Sequence, residues 1–282
     1  VTLTGDGGAA NPFETIATVT FTPPSGEKNA KTVHAFYDGG NAWRARVYVS
    51  EVGAWKWSSR SDADQGLNGK RGAFIAQDSK LRGRLLIHPK NRRQWMTEDG
   101  RWFLNLNDTA YFLLCTHDGR GQPVPFDDFT AYVRDAVTHG ITSVRSWAVS
   151  GPKGLLGPDN SARHGWHDIF ADAGRSRFRT DNYQNTDRRL SWMLDHYPDV
   201  YVQFILFPLG AQWRQDESVW SKMESSQKER VMRYLVARYA AFPQIFWLIV
   251  NDAHYAPDTL RAANADHAKA QREATYPNNL AM

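Results

Sequence analysis

Val200-Tyr201-Val202-Gln203-Phe204-Ile205-Leu206-Phe207 is a nearly continuous apolar run, and Gln244-Ile245-Phe246-Trp247-Leu248-Ile249-Val250 is a second. Unbroken runs of this length are expected of strands in a parallel sheet covered on both faces. Between them, about Asp216 to Ala241 has helical period and is closed by Pro243. Upstream the same alternation continues. Trp102 to Leu106 reads as a strand, Asp127 to His139 as a helix with Phe129, Tyr132, Val133, Ala136 and Val137 on one face, and Ile141 to Trp147 as the next strand. A helix from about Thr186 to His196 then turns Leu190, Met193 and Leu194 inward. Strand ends are predicted near Asn107, Trp147, Phe207 and Asn251, far enough apart for right-handed crossovers. This is the pattern of the first half of a (β/α)8 TIM-type barrel. Ala253 to Met282 contains no apolar strand run, so the second half is read as missing, by truncation or loss of segments. An open half-barrel would leave an unpaired sheet edge and an exposed apolar face.

Residues 1–82 have a different rhythm and are predicted to form an all-β, immunoglobulin-like sandwich, with 83–282 as the α/β barrel domain. Glu14 to Phe21 alternates, with Ile16, Val19 and Phe21 among threonines, and stops at Pro23-Pro24-Ser25-Gly26. Thr32 to Tyr37 and Trp43 to Val49 flank Asp38-Gly39-Gly40-Asn41 and are expected to pair as a hairpin. In the second of these, Trp43, Ala45, Val47 and Val49 point one way. Gly53 to Trp57 and Gly72 to Ile75 supply two more short strands.

The 282 residues are 41% hydrophobic and 23% charged, and no stretch approaches the roughly 18 apolar residues of a membrane span. A net charge of +4, spread along the chain, leaves nucleic acid unforced as a partner. The 13% aromatic content suits flat-faced ligands such as sugars as well as a large core. The single cysteine, Cys115, cannot form an internal disulfide and reads as a packed thiol. The chain begins at Val1 and shows no signal segment, so a processed or trimmed form is expected.

In a parallel barrel, catalytic groups project from the C-terminal ends of the strands. Those positions offer Asp108 after the first strand, Arg145 and Trp147 at the second, Trp213 beyond the third, and Asn251, Asp252, His254 and Tyr255 after the fourth. Carboxylates for proton transfer, Arg and Asn for hydroxyl recognition and aromatics for stacking form a set suited to a saccharide. His164, His167 and Asp168 are close in sequence but lack further ligands, so no metal is expected. Arg175, Arg177 and Arg179 read as a solvated face. Neither a GxSxG elbow nor a Walker sequence is present, and no cofactor is expected.

Ala35-Phe36-Tyr37-Asp38-Gly39-Gly40, Trp43-Arg44-Ala45-Arg46 and Gly53-Ala54-Trp55-Lys56-Trp57 resemble the sandwich that precedes apiosidase-like glycoside hydrolase domains. Gly83 to Pro89, Asn107-Asp108-Thr109-Ala110 and Phe246 to Asp252 resemble the opening half of the catalytic barrel of that family. The resemblance runs from about residue 12 to residue 255. It implies a bacterial carbohydrate-active enzyme, secreted or periplasmic and in some cases held at the cell surface, with an Asn-acid pair at the end of strand four. On this chain Asn251 would bind the hydroxyl beside the anomeric carbon, and Asp252 would be the general acid. The wider superfamily usually has glutamate at that place. The second carboxylate would come from a seventh strand that this sequence does not reach. Asp108, Arg145, Trp147, Trp213, His254 and Tyr255 would contact substrate.

The competing class is a non-catalytic carbohydrate-binding or cell-surface glycan-recognition protein. Both readings predict aromatics at the rim, but only the enzyme needs a carboxylate partner for Asp252. Nothing in the sequence sets the sugar, the linkage, the stereochemical outcome or the oligomeric state.

Overall fold

The computed structural model describes residues 1–118, 122–148, 170–172, 174–207 and 224–250. They fall into two compact units, one within Val1–Lys80, Phe170–Thr180 and Ser226–Pro243, the other within Leu81–Ile169, Asp181–Ser225 and Gln244–Met282. Among the described residues the helices are α1 (Phe126–Thr138), α2 (Thr180–His196) and α3 (Ser225–Tyr239).

The first unit holds β1 (Thr2–Thr4), β2 (Ala17–Thr22), β3 (Lys31–His34), β4 (Phe36–Tyr37), β5 (Ala42–Arg44), β6 (Gly53–Ser61) and β7 (Arg71–Ala76). They form antiparallel sheets of order β3-β2-β6-β7 and β1-β5-β4. Leu3 and Trp43 from one sheet share a buried cluster with Ala17, Val19, Phe21 and Trp55 from the other, so the two pack face to face as a β-sandwich. Period-two alternation explains the inward set in β2, and of Ile16, Val19 and Phe21 named from the sequence only Ile16 departs from it. Ala17, Val19 and Phe21 are buried, while Ile16 lies before the strand at 42% exposure.

The expected strand Thr32 to Tyr37 is divided. β3 pairs with β2, Ala35 donates its N–H to the Ala17 carbonyl at 2.9 Å, and β4 then crosses to the other sheet to pair with β5. The hairpin is therefore β4–β5, closed through Gly39 and Gly40 at φ 100° and 58°, a region in which side chains are strained. β5 also ends at Arg44, earlier than expected. Ala45 and Val47 still pack on the core but Val49 is exposed.

Helix α3 clusters with this unit through a buried charge network. Arg238 donates to Asp38 at 2.7 Å, Arg44 meets the other Asp38 oxygen at 2.5 Å, and the Arg238 guanidinium lies 4.7 Å from the Phe36 ring centre. The described helix begins at Ser225; residues 216–223, where the sequence predicts its first turns, lie outside the described residues.

The second unit contains β8 (Leu85–Ile87), β9 (Trp95–Thr97), β10 (Trp102–Phe103), β11 (Asn107–Thr109), β12 (Ser143–Trp147), β13 (Tyr201–Phe207) and β14 (Ile245–Val250). Strands β11-β12-β13-β14 form a parallel sheet in sequence order, with α1 and α2 in the first two connections and α3 in the third. Helix α1 carries Asp127 and Asp128 in its first turn, buries Phe129, Val133 and Ala136 at helical spacing, and ends before Gly140 at φ 81°.

The expected first barrel strand, Trp102 to Leu106, is not part of the parallel sheet. Trp102 and Phe103 pair antiparallel with Met96 and Trp95 across a turn containing Gly100 at φ 87°, giving a small sheet of order β10-β9-β8. The edge strand is instead the polar Asn107–Thr109, each residue of which is exposed, and Leu104 and Leu106 are 69% and 46% exposed. Here apolarity misled because pairing follows backbone hydrogen bonding, and the short hairpin closes locally. Phe103, Leu85 and Trp95 pack against Tyr201 and Phe246, which lie at the start of β13 and β14. The small sheet thus occupies the N-terminal end of the parallel strands.

Candidate functional site

Parallel register sorts the strand side chains into two faces. Asn107 pairs with Ser143, Thr109 with Arg145, and Trp147 with Ile205 and, through it, Leu248. Arg145 and Trp147 therefore share one face. Asp108 pairs with Val144 and lies on the opposite face, where its carboxylate accepts a hydrogen bond from the Tyr132 hydroxyl of α1. The sequence reading placed Asp108 just past a strand end. It is instead the middle residue of β11, because β11 begins where the apolar run stops.

The segment after β11 turns back over the ends of the neighbouring strands. Tyr111 stacks on Trp147 with ring centres 5.7 Å apart at 22°, and the Arg145 guanidinium lies 5.8 Å from the centre of the same tyrosine ring. Trp147 donates its backbone N–H to the Tyr111 carbonyl at 2.8 Å, which locks this stack to β12. Trp147 itself is only 4% exposed and packs with Cys115 and Ile205, so it supports the stack while the half-buried Tyr111 presents the more accessible ring. The Cys115 thiol is buried and approaches the Trp147 carbonyl at 3.9 Å. Sequence reasoning missed Tyr111, although its place two residues past the end of β11 was a usable signal.

Helix α2 fixes this segment from behind. Arg189 donates to the Leu113 carbonyl at 2.7 Å and also to that of Val124, while Thr186 donates to the carbonyls of Leu114 and Ala148 at 3.1 and 2.9 Å. The Ser146 hydroxyl accepts the Leu114 N–H at 3.2 Å. Burial lowers the Arg189 pKa to about 10, which still leaves it charged at neutral pH, and its guanidinium lies 4.9 Å from the Phe129 ring centre. In the sequence Arg189 looks like an ordinary helix-surface cation. Nothing local distinguishes it from Arg188.

Asn251, Asp252, His254, Tyr255 and Trp213 lie outside the described residues, as does the His164 to Asp168 segment. Among the described residues no group of three or more His, Cys, Asp or Glu side chains is placed to hold a metal ion, and no helix is long and apolar enough to cross a membrane. What the described part offers is a cation over an aromatic ring, held by buried hydrogen bonds beside the C-terminal ends of parallel strands. That combination suits hydroxyl recognition and stacking on a flat ligand face.

Residues 1–62 match the family model of a domain of unknown function, DUF5060. No curated protein matches the chain significantly. Among solved structures, it is similar to a provisionally assigned glycoside hydrolase from Bacteroides vulgatus ATCC 8482, with TM-score 0.74 and 20% identity over 99% of this chain and 52% of that one. The fold is glycoside-hydrolase-like. The chain spans about half the length of that protein. A family 5 glycoside hydrolase from the same strain superposes at TM-score 0.47, with 17% identity over 69% of this chain and 38% of its own. A family 2 member from Bacteroides cellulosilyticus DSM 14838 superposes at 0.33, with 12% identity over 85% and 27%.

Proposed function

We propose that the chain carries the sandwich, to about residue 82, and the opening half of the TIM-type catalytic barrel of an exported bacterial glycoside hydrolase of the apiosidase-like kind. Its substrate is a plant or algal polysaccharide or oligosaccharide. The observation that supports this most is the parallel register of β12, β13 and β14. Trp147 lies beside Ile205, Phe207 beside Val250, and the chain runs from Val250 directly into Asn251-Asp252. A shared strand-end rim is where this architecture carries its chemistry, and the likeness in fold to a provisionally assigned glycoside hydrolase agrees with it.

In this reading Asp252 protonates the leaving glycosidic oxygen and Asn251 binds the neighbouring sugar hydroxyl. Arg145 and Tyr111 form the near wall of the cleft, supported by Trp147, and Trp213, His254 and Tyr255 complete its lining. A second carboxylate, whose distance from Asp252 sets retention or inversion, completes the reaction. Asp108 serves through α1 instead of touching the sugar.

The test is a screen of purified full-length protein, carrying the rest of the barrel, against plant and algal polysaccharides with product detection, repeated with Asp252→Asn. Product from the wild type, and loss of turnover in a variant with an unchanged melting temperature, is the expected result. Unchanged turnover in Asp252→Asn would remove that residue from the mechanism. Glycan binding with no product from any substrate would favour the non-catalytic class.

A further inference from the structure

The outward face of the sheet β3-β2-β6-β7 carries hydroxyls, cations and one histidine, His34, at its polar positions, and no carboxylate. Register lines up one row straight across four strands: Thr32 beside Thr20, Thr20 beside Ser58, and Ser58 beside Arg71. The Thr20 and Thr32 hydroxyls are 2.8 Å apart. On β6, Lys56 and Arg60 flank Ser58 at the same parity, so they stand on this face roughly 7 Å to either side. Lys56, Ser58, Arg60 and Arg71 are all exposed. Thr22 pairs with Lys56, and Thr18 lies between His34 and Arg60, which extends the hydroxyls to both flanks.

Sign is what separates this surface from an ordinary solvated sheet face. A solubilising face mixes charges of both signs, whereas no Asp or Glu stands at any of these positions. Asp62, just past β6, lies 3.5 Å from Arg60, but both side chains are largely exposed, at 86% and 78%, and such a pair is weak in water. The face also carries no Phe, Tyr or Trp ring, because Trp55, Trp57 and Phe74 have the opposite parity and pack on the sandwich core.

We propose that this face binds an anionic polysaccharide, its carboxylate or sulfate groups meeting Lys56, Arg60 and Arg71 while its hydroxyls meet the threonine and serine row. A glycan is favoured over single-stranded nucleic acid because the latter is held largely by bases stacking on aromatic side chains, which this surface lacks. It offers many hydroxyl partners instead. Choosing a glycan as the occupant rests on the hydrolase reading; the charge of the face does not. The surface is a binding site on the sandwich, separate in sequence from the strand-end residues assigned to catalysis.

The experiment measures binding without turnover, by affinity electrophoresis and calorimetry at low salt, for polygalacturonate, dextran sulfate, neutral dextran and duplex DNA. The wild type should bind polygalacturonate or dextran sulfate, and which of the two separates carboxylate from sulfate recognition. Neutral dextran should not bind. A triple variant, Lys56→Ser, Arg60→Ser and Arg71→Ser, should bind about tenfold more weakly, as expected for removal of three exposed ion pairs. Each substitution is also made singly, and the charge-retaining set Lys56→Arg, Arg60→Lys and Arg71→Lys should keep binding, so a folding defect in the triple variant does not remove the readout. Binding unchanged by loss of the three cations, equal binding of neutral dextran, or DNA bound as tightly as the acidic glycans would overturn the proposal. Hydrolysis is assayed separately on the full-length protein: turnover without binding at this face sinks this inference alone, and binding without turnover sinks only the hydrolase reading.

Discussion

Arg189 shows how much of the candidate site depends on a side chain that touches no ligand. Its guanidinium donates to the Leu113 carbonyl, in the segment that carries Tyr111, and to the Val124 carbonyl just ahead of α1, and it is 1% exposed. Replacing it by leucine would leave the buried Leu113 carbonyl without this donor and remove the part-buried bond to Val124, so Arg189→Leu should lower unfolding free energy by about 3 kcal/mol, read by urea denaturation. Arg189→Lys should recover only part of this, because an ammonium cannot span both acceptors as a planar fork does. An unchanged midpoint in the leucine variant would mean that the segment is held well enough by its other bonds, from Thr186, Asn185, Ser146 and the Trp147 N–H. Among the substrate-contact residues anticipated from sequence, the described structure brings Arg145 and Trp147 together and turns Asp108 away. The sequence could show that these residue types gather near strand ends, but not on which face each would stand, because a shift of one position in strand β11 reverses the face.

At the level of elements, the apolar strands of the parallel sheet were legible and its edge was not. β12, β13 and β14 begin within two residues of their expected starts, since a buried strand advertises itself by composition. β11 does not, because Asn107-Asp108-Thr109 lies at an exposed edge where packing makes no demand for apolar side chains. The sheet-switching division at Ala35 was hidden for a related reason: Thr32 to Tyr37 alternates as one strand, and only its two different partners reveal a break. The contact between β11 and α1 makes a prediction of its own. Burial and the hydrogen bond to Asp108 both raise the Tyr132 pKa above its ordinary value near 10. Above about pH 10 the unfolded chain releases this proton while the folded chain keeps it, so the folded state is progressively disfavoured as pH rises. Below pH 10 the group contributes no pH dependence. Tyr132→Phe should therefore flatten the fall of the urea midpoint between about pH 10 and 11, and an identical slope in both proteins would rule out this linkage.

On the scale of the molecule, α3 has two memberships: chain order places it between β13 and β14, and packing places it with the sandwich. Asp38 is central to that packing, at 6% exposure between Arg44 and the fully buried Arg238. Asp38→Asn would leave Arg238 buried without its countercharge, and a loss of about 3 to 5 kcal/mol is expected in the unfolding of the first unit, followed by tryptophan fluorescence in urea. A loss below about 1 kcal/mol would show the network to be dispensable. From its sequence alone this chain declared its two rhythms, the buried parallel strands, the helices between them and the inward parity of most sandwich strands, because burial writes periodicity into composition. Tertiary structure alone decided the partners of each strand, the face on which Asp108 stands, the clasp of Asp38 with Arg238 and the grip of Arg189 on the segment bearing Tyr111. Those contacts join residues tens to hundreds of positions apart, and no local pattern records which distant acceptor a buried donor will meet.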